Sequence, residues 1–88
     1  MTPISLFYRI IIYMYTDKSR ELKVPHIHAV FKEEEVIMAL TGETLDGHMN
    51  TKKQILVQAW LAIHYDDLMA NWHIMMNGNE VFRIDPLR

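Results

Sequence analysis

The chain has 88 residues, no cysteine and a formal net charge of -2. That size suits one small domain, residues 1–88, with a modest core. The composition excludes a disulfide framework and a thiolate zinc site. It also argues against wholesale electrostatic binding of nucleic acid, while leaving room for a local basic patch. No apolar run approaches the roughly 18–20 residues that cross a bilayer, so no membrane partner is expected. No basic stretch leads into a long apolar one at the N-terminus, so no signal peptide is read and a cytoplasmic location is expected.

Met1 to Ser5 is a lead-in. Leu6 to Tyr15 is rich in isoleucine and aromatic residues and predicts a first strand. Leu6, Tyr8, Ile10, Ile12 and Met14 would face one way, with Phe7, Arg9, Ile11, Tyr13 and Tyr15 opposite. Both faces are apolar enough for a central strand. Arg9 is its only charge, and its stem is expected to pack while its head reaches water. Thr16 to Lys23 is polar and reads as a solvated connection.

Val24 to Phe31 is the second strand. Pro25 pushes its neighbour toward extended geometry. Alternation puts His26, His28 and Val30 on one face, and Ile27, Ala29 and Phe31 on an apolar one. Lys32 to Glu34 is a charged turn. Glu35 to Leu40 is a third strand, Thr41 to Thr44 a turn, and Leu45 to His48 a short fourth strand. Short strands in succession favour an antiparallel meander.

From Asn50 the period changes to that of a helix. Asn50 or Thr51 is the expected N-cap. Leu61, Tyr65, Leu68, Trp72 and Met75 recur at helical spacing, and Ile55, Ala59 and Ile63 form an adjacent stripe. Between Ile55 and Ile63 only Gln58 is polar, so this stretch is apolar nearly all round. A small sheet covers one side, which leaves the other for a partner or a second copy. His64 to Asp67 marks a kink or a second helix start, and Asn77-Gly78-Asn79 ends the helix. Glu80 to Leu87 returns in extended form, with an added edge strand as one outcome. The fold expected is α+β: an antiparallel sheet of about four strands on a long or kinked helix pair.

The histidine pair carries most of the chemistry. Imidazoles at i and i+2 on one strand face can bind metal, bind phosphate, or act as an acid/base pair. The ordinary alternative is one packed and one surface histidine. Glu33 with His26 and His28 imitates the first metal motif of cupins, but the chain is too short for that barrel and lacks a second motif. His48, His64 and His73 are scattered. No metal and no cofactor is expected. Arg9, Tyr13 and Tyr15 form a second constellation that could border the imidazoles in a ribonuclease-like site, where a cation offsets phosphate charge. The alternative is a plain sheet face with amphipathic aromatics. Seven methionines with Trp60 and Trp72 suggest an adaptable apolar surface.

Ile4-Ser5 through Tyr15, then Pro25-His26-Ile27-His28-Ala29, resemble the small bacterial domain-of-unknown-function family numbered 4160. Its marks are an I-S-x-F-x-G-I-I-I-Y-M-Y opening and a P-H-F-H-A box. The resemblance continues at Trp60, His64, Asp66-Asp67-Leu68, Asn71-Trp72 and Ile84-Asp85-Pro86-Leu87. Members are usually encoded beside a second small protein, in pairs that resemble type II toxin–antitoxin modules. The resemblance therefore implies a toxin-like protein, growth inhibition and a cognate antitoxin. Some positions depart from the pattern. Arg9 replaces a glycine, Ile27 replaces the central Phe, and Asp17-Lys18 replaces Asp-His ahead of an inserted Ser19 to Lys23. The acidic position of the third strand falls near Met38 and Ala39. A family activity that uses that His or acid would be lost here, or would use Arg9 or Lys18.

Two functions are expected from these readings. One is a toxin-like component acting on RNA or another phosphate-bearing target. Its candidate catalytic residues are His26, His28, Arg9, Tyr13, Tyr15 and Lys18, with Arg20 or Lys23 as further cationic helpers. The other is a non-catalytic module that forms a homo-oligomer or docks on a partner through Trp60, Leu61, Tyr65, Trp72, Met75 and Met76.

Overall fold

The computed structural model describes residues 1–16 and 22–88. Its described elements are five strands and two helices in one α+β arrangement. The strands are β1 (Ser5–Phe7), β2 (Ile10–Tyr13), β3 (His26–Phe31), β4 (Glu34–Ala39) and β5 (Thr44–His48). The helices are α1 (Thr51–Ile63) and α2 (Tyr65–Met76). The sheet is an antiparallel meander in chain order, as the run of short strands predicts.

The expected first strand is two strands. Phe7 pairs with Ile10, so Tyr8 and Arg9 are the whole loop of a hairpin. Both have positive φ, 48° and 68°. A two-residue hairpin needs that backbone to match the strand twist, and glycine or asparagine usually supplies it. Neither is present, which is why the sequence reads as continuous. The extra strand raises the count from about four to five. It also keeps β1 in the core layer, with Ile4, Ser5 and Phe7 buried and Leu6 exposed.

Opposed residues of an antiparallel pair share a face. One face carries Ser5, Ile12, Ala29 and Val36 in a row, with Phe7, Ile10, Ile27, Phe31 and Met38 beside it. These apolar side chains join Val57, Trp60, Leu61, Leu68 and Trp72 of the helices in one cluster. Burial of a large aliphatic or aromatic side chain contributes about 1.5–3 kcal/mol, so this layer holds the domain together.

Polar contacts fix where α1 sits. Asn50 is its N-cap and accepts from the Lys53 N–H at 3.2 Å. Gln58 donates to the Gly42 carbonyl, and Gln54 donates to the Thr44 hydroxyl. The helix breaks at His64, with φ -106° and ψ 20°, and α2 follows directly. At its end Asn79 N–H donates to Ile74 O and Gly78 N–H donates to Met75 O. This is the Schellman pattern, with Gly78 at φ 83°.

The C-terminal segment is not an edge strand. It is a strap laid along the helices and tied at three points. Asn71 grips the Phe82 backbone at both N–H and C=O, 2.8 and 2.7 Å. Trp60 Nε1–H donates to Asp85 O at 2.8 Å, and Ile84 N–H donates to Ile4 O at 2.8 Å. Side-chain anchors replace the repeated ladder bonds of a strand. Among the described residues, no helix is long and apolar enough to cross a membrane.

Candidate functional site

The face of the sheet away from the core cluster carries the histidine pair. Tyr13, His28, Ile37 and Asp46 lie in one row across β2 to β5. Leu6, Ile11, Val30, Glu35 and His48 lie in the next. Within this face the exposure is uneven. Leu6, Glu35, Asp46 and His48 are exposed, Ile11, Tyr13 and Val30 half-buried, and Ile37 and both imidazoles buried. Each imidazole is 0% exposed.

Ring contacts set the positions of the two imidazoles. Tyr15 stacks flat on His28, with centroids 3.8 Å apart and planes 10° from parallel. His28 meets His26 edge-on at 5.3 Å. His26 in turn lies 5.1 Å from the Trp72 ring. The four rings form a chain that joins the end of β2, the start of β3 and α2. Offset and tilted aromatic pairs of this kind contribute about 0.5–1.5 kcal/mol each beyond their burial.

His26 has one further tie. Its Nδ1 lies 2.7 Å from the Val24 carbonyl oxygen. A carbonyl only accepts, so Nδ1 carries the hydrogen and donates it. This bond closes over Pro25 and holds the ring at the start of β3. The His26 Nε2 atom is buried, with no partner among the described residues.

The structure brings together four of the expected catalytic residues: His26, His28, Tyr13 and Tyr15. Arg9 stands apart. It is in the β1–β2 turn, four positions along from Tyr13, or about 13 Å at the usual strand rise. Its exposed side chain fits the expectation of a head in water. Lys18 and Arg20 lie outside the described residues, and Lys23 is exposed. No group of three or more histidine, aspartate or glutamate side chains among the described residues could hold a metal ion.

The expected partner surface divides in two. Trp60, Leu61 and Trp72 are 0%, 1% and 7% exposed and belong to the chain's own core. Tyr65 and Met76 are exposed, and Met75 is half-buried. Half-buried Met69 lies one turn along α2 from Tyr65. Next to them, Val24, Pro25, Leu40, Leu45, Tyr65 and Met69 line an open cavity of about 440 Å³.

Three contributors were missed by the sequence reading. Trp72 contacts His26, but the helical stripe marks Trp72 as a partner-surface residue and not as a neighbour of the pair. Glu35 and Asp46 share the face of the pair only through the register of β4 and β5. That register contains an irregularity between Ile37 and Met38, which alternation cannot locate.

Residues 10–73 match the family model described as Domain of unknown function (DUF4160). The match spans well over half of the chain and contains the histidine pair. The chain belongs to this family. No curated protein matches it, and no solved structure matches it. The DUF4160 match starts after the Tyr8–Arg9 turn and stops in α2, so β1 and the C-terminal strap lie outside it.

Proposed function

We propose that this DUF4160 protein is the toxin-like member of a two-protein module and works through protein contacts rather than imidazole chemistry. The observation behind this is the complete burial of His26 and His28. An acid/base group must come within hydrogen-bond reach of the proton it moves. Neither ring reaches solvent, and Arg9 stands apart from the pair in the β1–β2 turn. The pair instead packs the sheet against Tyr15 and Trp72.

The cognate partner, an antitoxin-like protein by the family resemblance, would dock on the apolar edge of α2. Tyr65 and Met69 line the open cavity there, and exposed Met76 lies further along the same helix. Aromatic and methionine side chains suit an adaptable contact. The test is co-purification with the product of the adjacent reading frame. Tyr65→Glu and Met76→Glu should weaken that complex at least tenfold, and His28→Gln should leave it unchanged. A complex indifferent to both α2 variants would overturn the docking site.

A second reading keeps chemistry on RNA or another phosphate. Tyr13 lies directly across from His28, and Tyr15 covers it. Displacement of Tyr15 would open an imidazole flanked by a phenol. Cleavage of RNA by the purified chain, lost in a folded His28→Gln variant, would establish this reading over the first.

A further inference from the structure

Three segments meet at one end of the sheet. They are the Tyr8–Arg9 turn, the turn that starts at Lys32 after β3, and the first turn of α1. Two sets of contacts tie them together. Lys53 Nζ–H donates to Tyr8 O at 3.0 Å. Lys53 and Lys32 both hold their ammonium groups over the Phe31 ring, 4.9 and 5.3 Å from its centroid.

This end is positive although the chain is not. Arg9, Lys32 and Lys52 are exposed, and Lys53 is half-buried. Among the described residues none of the four pairs with a carboxylate. Glu33 and Glu34 are the acids beside them in sequence, and the Glu34 carboxylate accepts from the Asn50 N–H. Four cations against two acids leave a local positive excess in a chain of net charge -2. The first turn of α1 holds no acidic residue, so the positive end of the helix dipole adds to that field. Two ammonium groups on one ring repel each other, and a shared anion relieves that repulsion.

Backbone strain concentrates at the same place. Among the described residues, Tyr8, Arg9 and Lys32 are the non-glycine residues with positive φ, at 48°, 68° and 55°. Folding alone favours glycine or asparagine at such positions. Here they hold two cations and an aromatic ring, and Tyr8 is 53% exposed. Strained residues persist at binding sites, where the side chain on display has a use. Lysine and arginine match phosphate, and an exposed tyrosine ring matches the face of an unpaired base. An acidic protein surface would account for the cations alone. We propose that this end of the sheet binds a single-stranded nucleic acid, with phosphates on Arg9, Lys32 and Lys53 and a base stacked on Tyr8. The site is separate from the α2 docking edge and from the imidazoles, and rests on neither reading of them.

Fluorescence anisotropy with a labelled oligouridylate of about twelve nucleotides tests it, starting at about 50 mM salt. The wild type should bind, and affinity should fall with salt along a log–log slope of about -2, as three phosphate contacts on a single strand give. Arg9→Gly and Lys32→Asn suit the left-handed backbone better than the native residues, so lost affinity in them does not report unfolding. Each should weaken binding about threefold, and the double variant R9G/K32N about tenfold. Tyr8→Asn should weaken it about fivefold and leave the salt slope unchanged. Arg83→Gln removes a cation from the strap and should stay within about twofold of the wild type. No binding at about 100 μM protein, or a loss in Arg83→Gln as large as that in the double variant, would overturn the site. Polyglutamate competing as well as the RNA would assign the patch to an acidic protein and overturn the nucleic-acid proposal.

Discussion

Asn71 ties the C-terminal strap to the helices, and its loss should be measurable. Its side chain is 2% exposed and makes two hydrogen bonds to one residue, donating to Phe82 O at 2.7 Å and accepting from Phe82 N–H at 2.8 Å. Asn71→Ala removes both. At about 0.5–1.5 kcal/mol each the loss is about 1–3 kcal/mol. Phe82 is itself exposed, so water can take over part of its backbone bonding, which favours the lower half of that range. For a domain of this size each kcal/mol moves Tm by about 4–8 °C, so a loss of about 1–2 kcal/mol should lower the midpoint by about 4–16 °C. Asn71→Asp is the sharper variant. It keeps the acceptor for Phe82 N–H but turns a carboxylate oxygen toward the Phe82 carbonyl, so it should destabilise at least as much as alanine. Thermal unfolding gives the magnitude. Limited trypsin digestion gives the location, because cleavage after Arg83 should accelerate as the strap loosens. A Tm within 2 °C of wild type for both variants would refute the reasoning.

Three further outcomes follow from the backbone and the core. Gly47→Ala should lower Tm by more than Asn71→Ala, because Gly47 has φ 78° and a Cβ there would collide with the Glu35 carbonyl oxygen. Arg9→Gly should raise Tm by a few degrees: relief of left-handed strain is about 1–2 kcal/mol, against about 0.5–1 kcal/mol for the added freedom of the unfolded chain. Ser5→Ala should be neutral or stabilising in urea denaturation, since the Ser5 hydroxyl is buried with no partner among the described residues.

Much of the frame can be read from the residues. Pro25 and the alternation after it predict β3, and the observed strand His26–Phe31 has the apolar face that pattern requires. Asn50 caps α1 and Gly78 closes α2, as short polar and glycine residues do at helix ends. The hairpin at Tyr8–Arg9 is hidden because its residues lack the usual turn chemistry. The strap escapes detection because alternating apolar residues look the same whether ladder bonds or separate ties at Asn71, Trp60 and Ile4 hold the chain. At the candidate site, alternation puts His26 and His28 on one face but does not say that the face is covered. Burial there depends on Tyr15 and Trp72, which lie far from the pair in sequence or beyond a loop. An all-round apolar helix likewise does not reveal which of its sides is internal. For that reason Trp60 and Leu61 look like contact residues in the sequence and are core residues in the fold.

We propose that this protein works through its surfaces and not through its buried imidazoles. The most direct measurement is growth of a bacterial host expressing the wild type, His26→Gln and His28→Gln, with Tm recorded for each purified chain. The wild type should inhibit growth, and every variant that remains folded should inhibit it equally. Loss of inhibition in a folded His28→Gln protein, or no inhibition by the wild type, would contradict it.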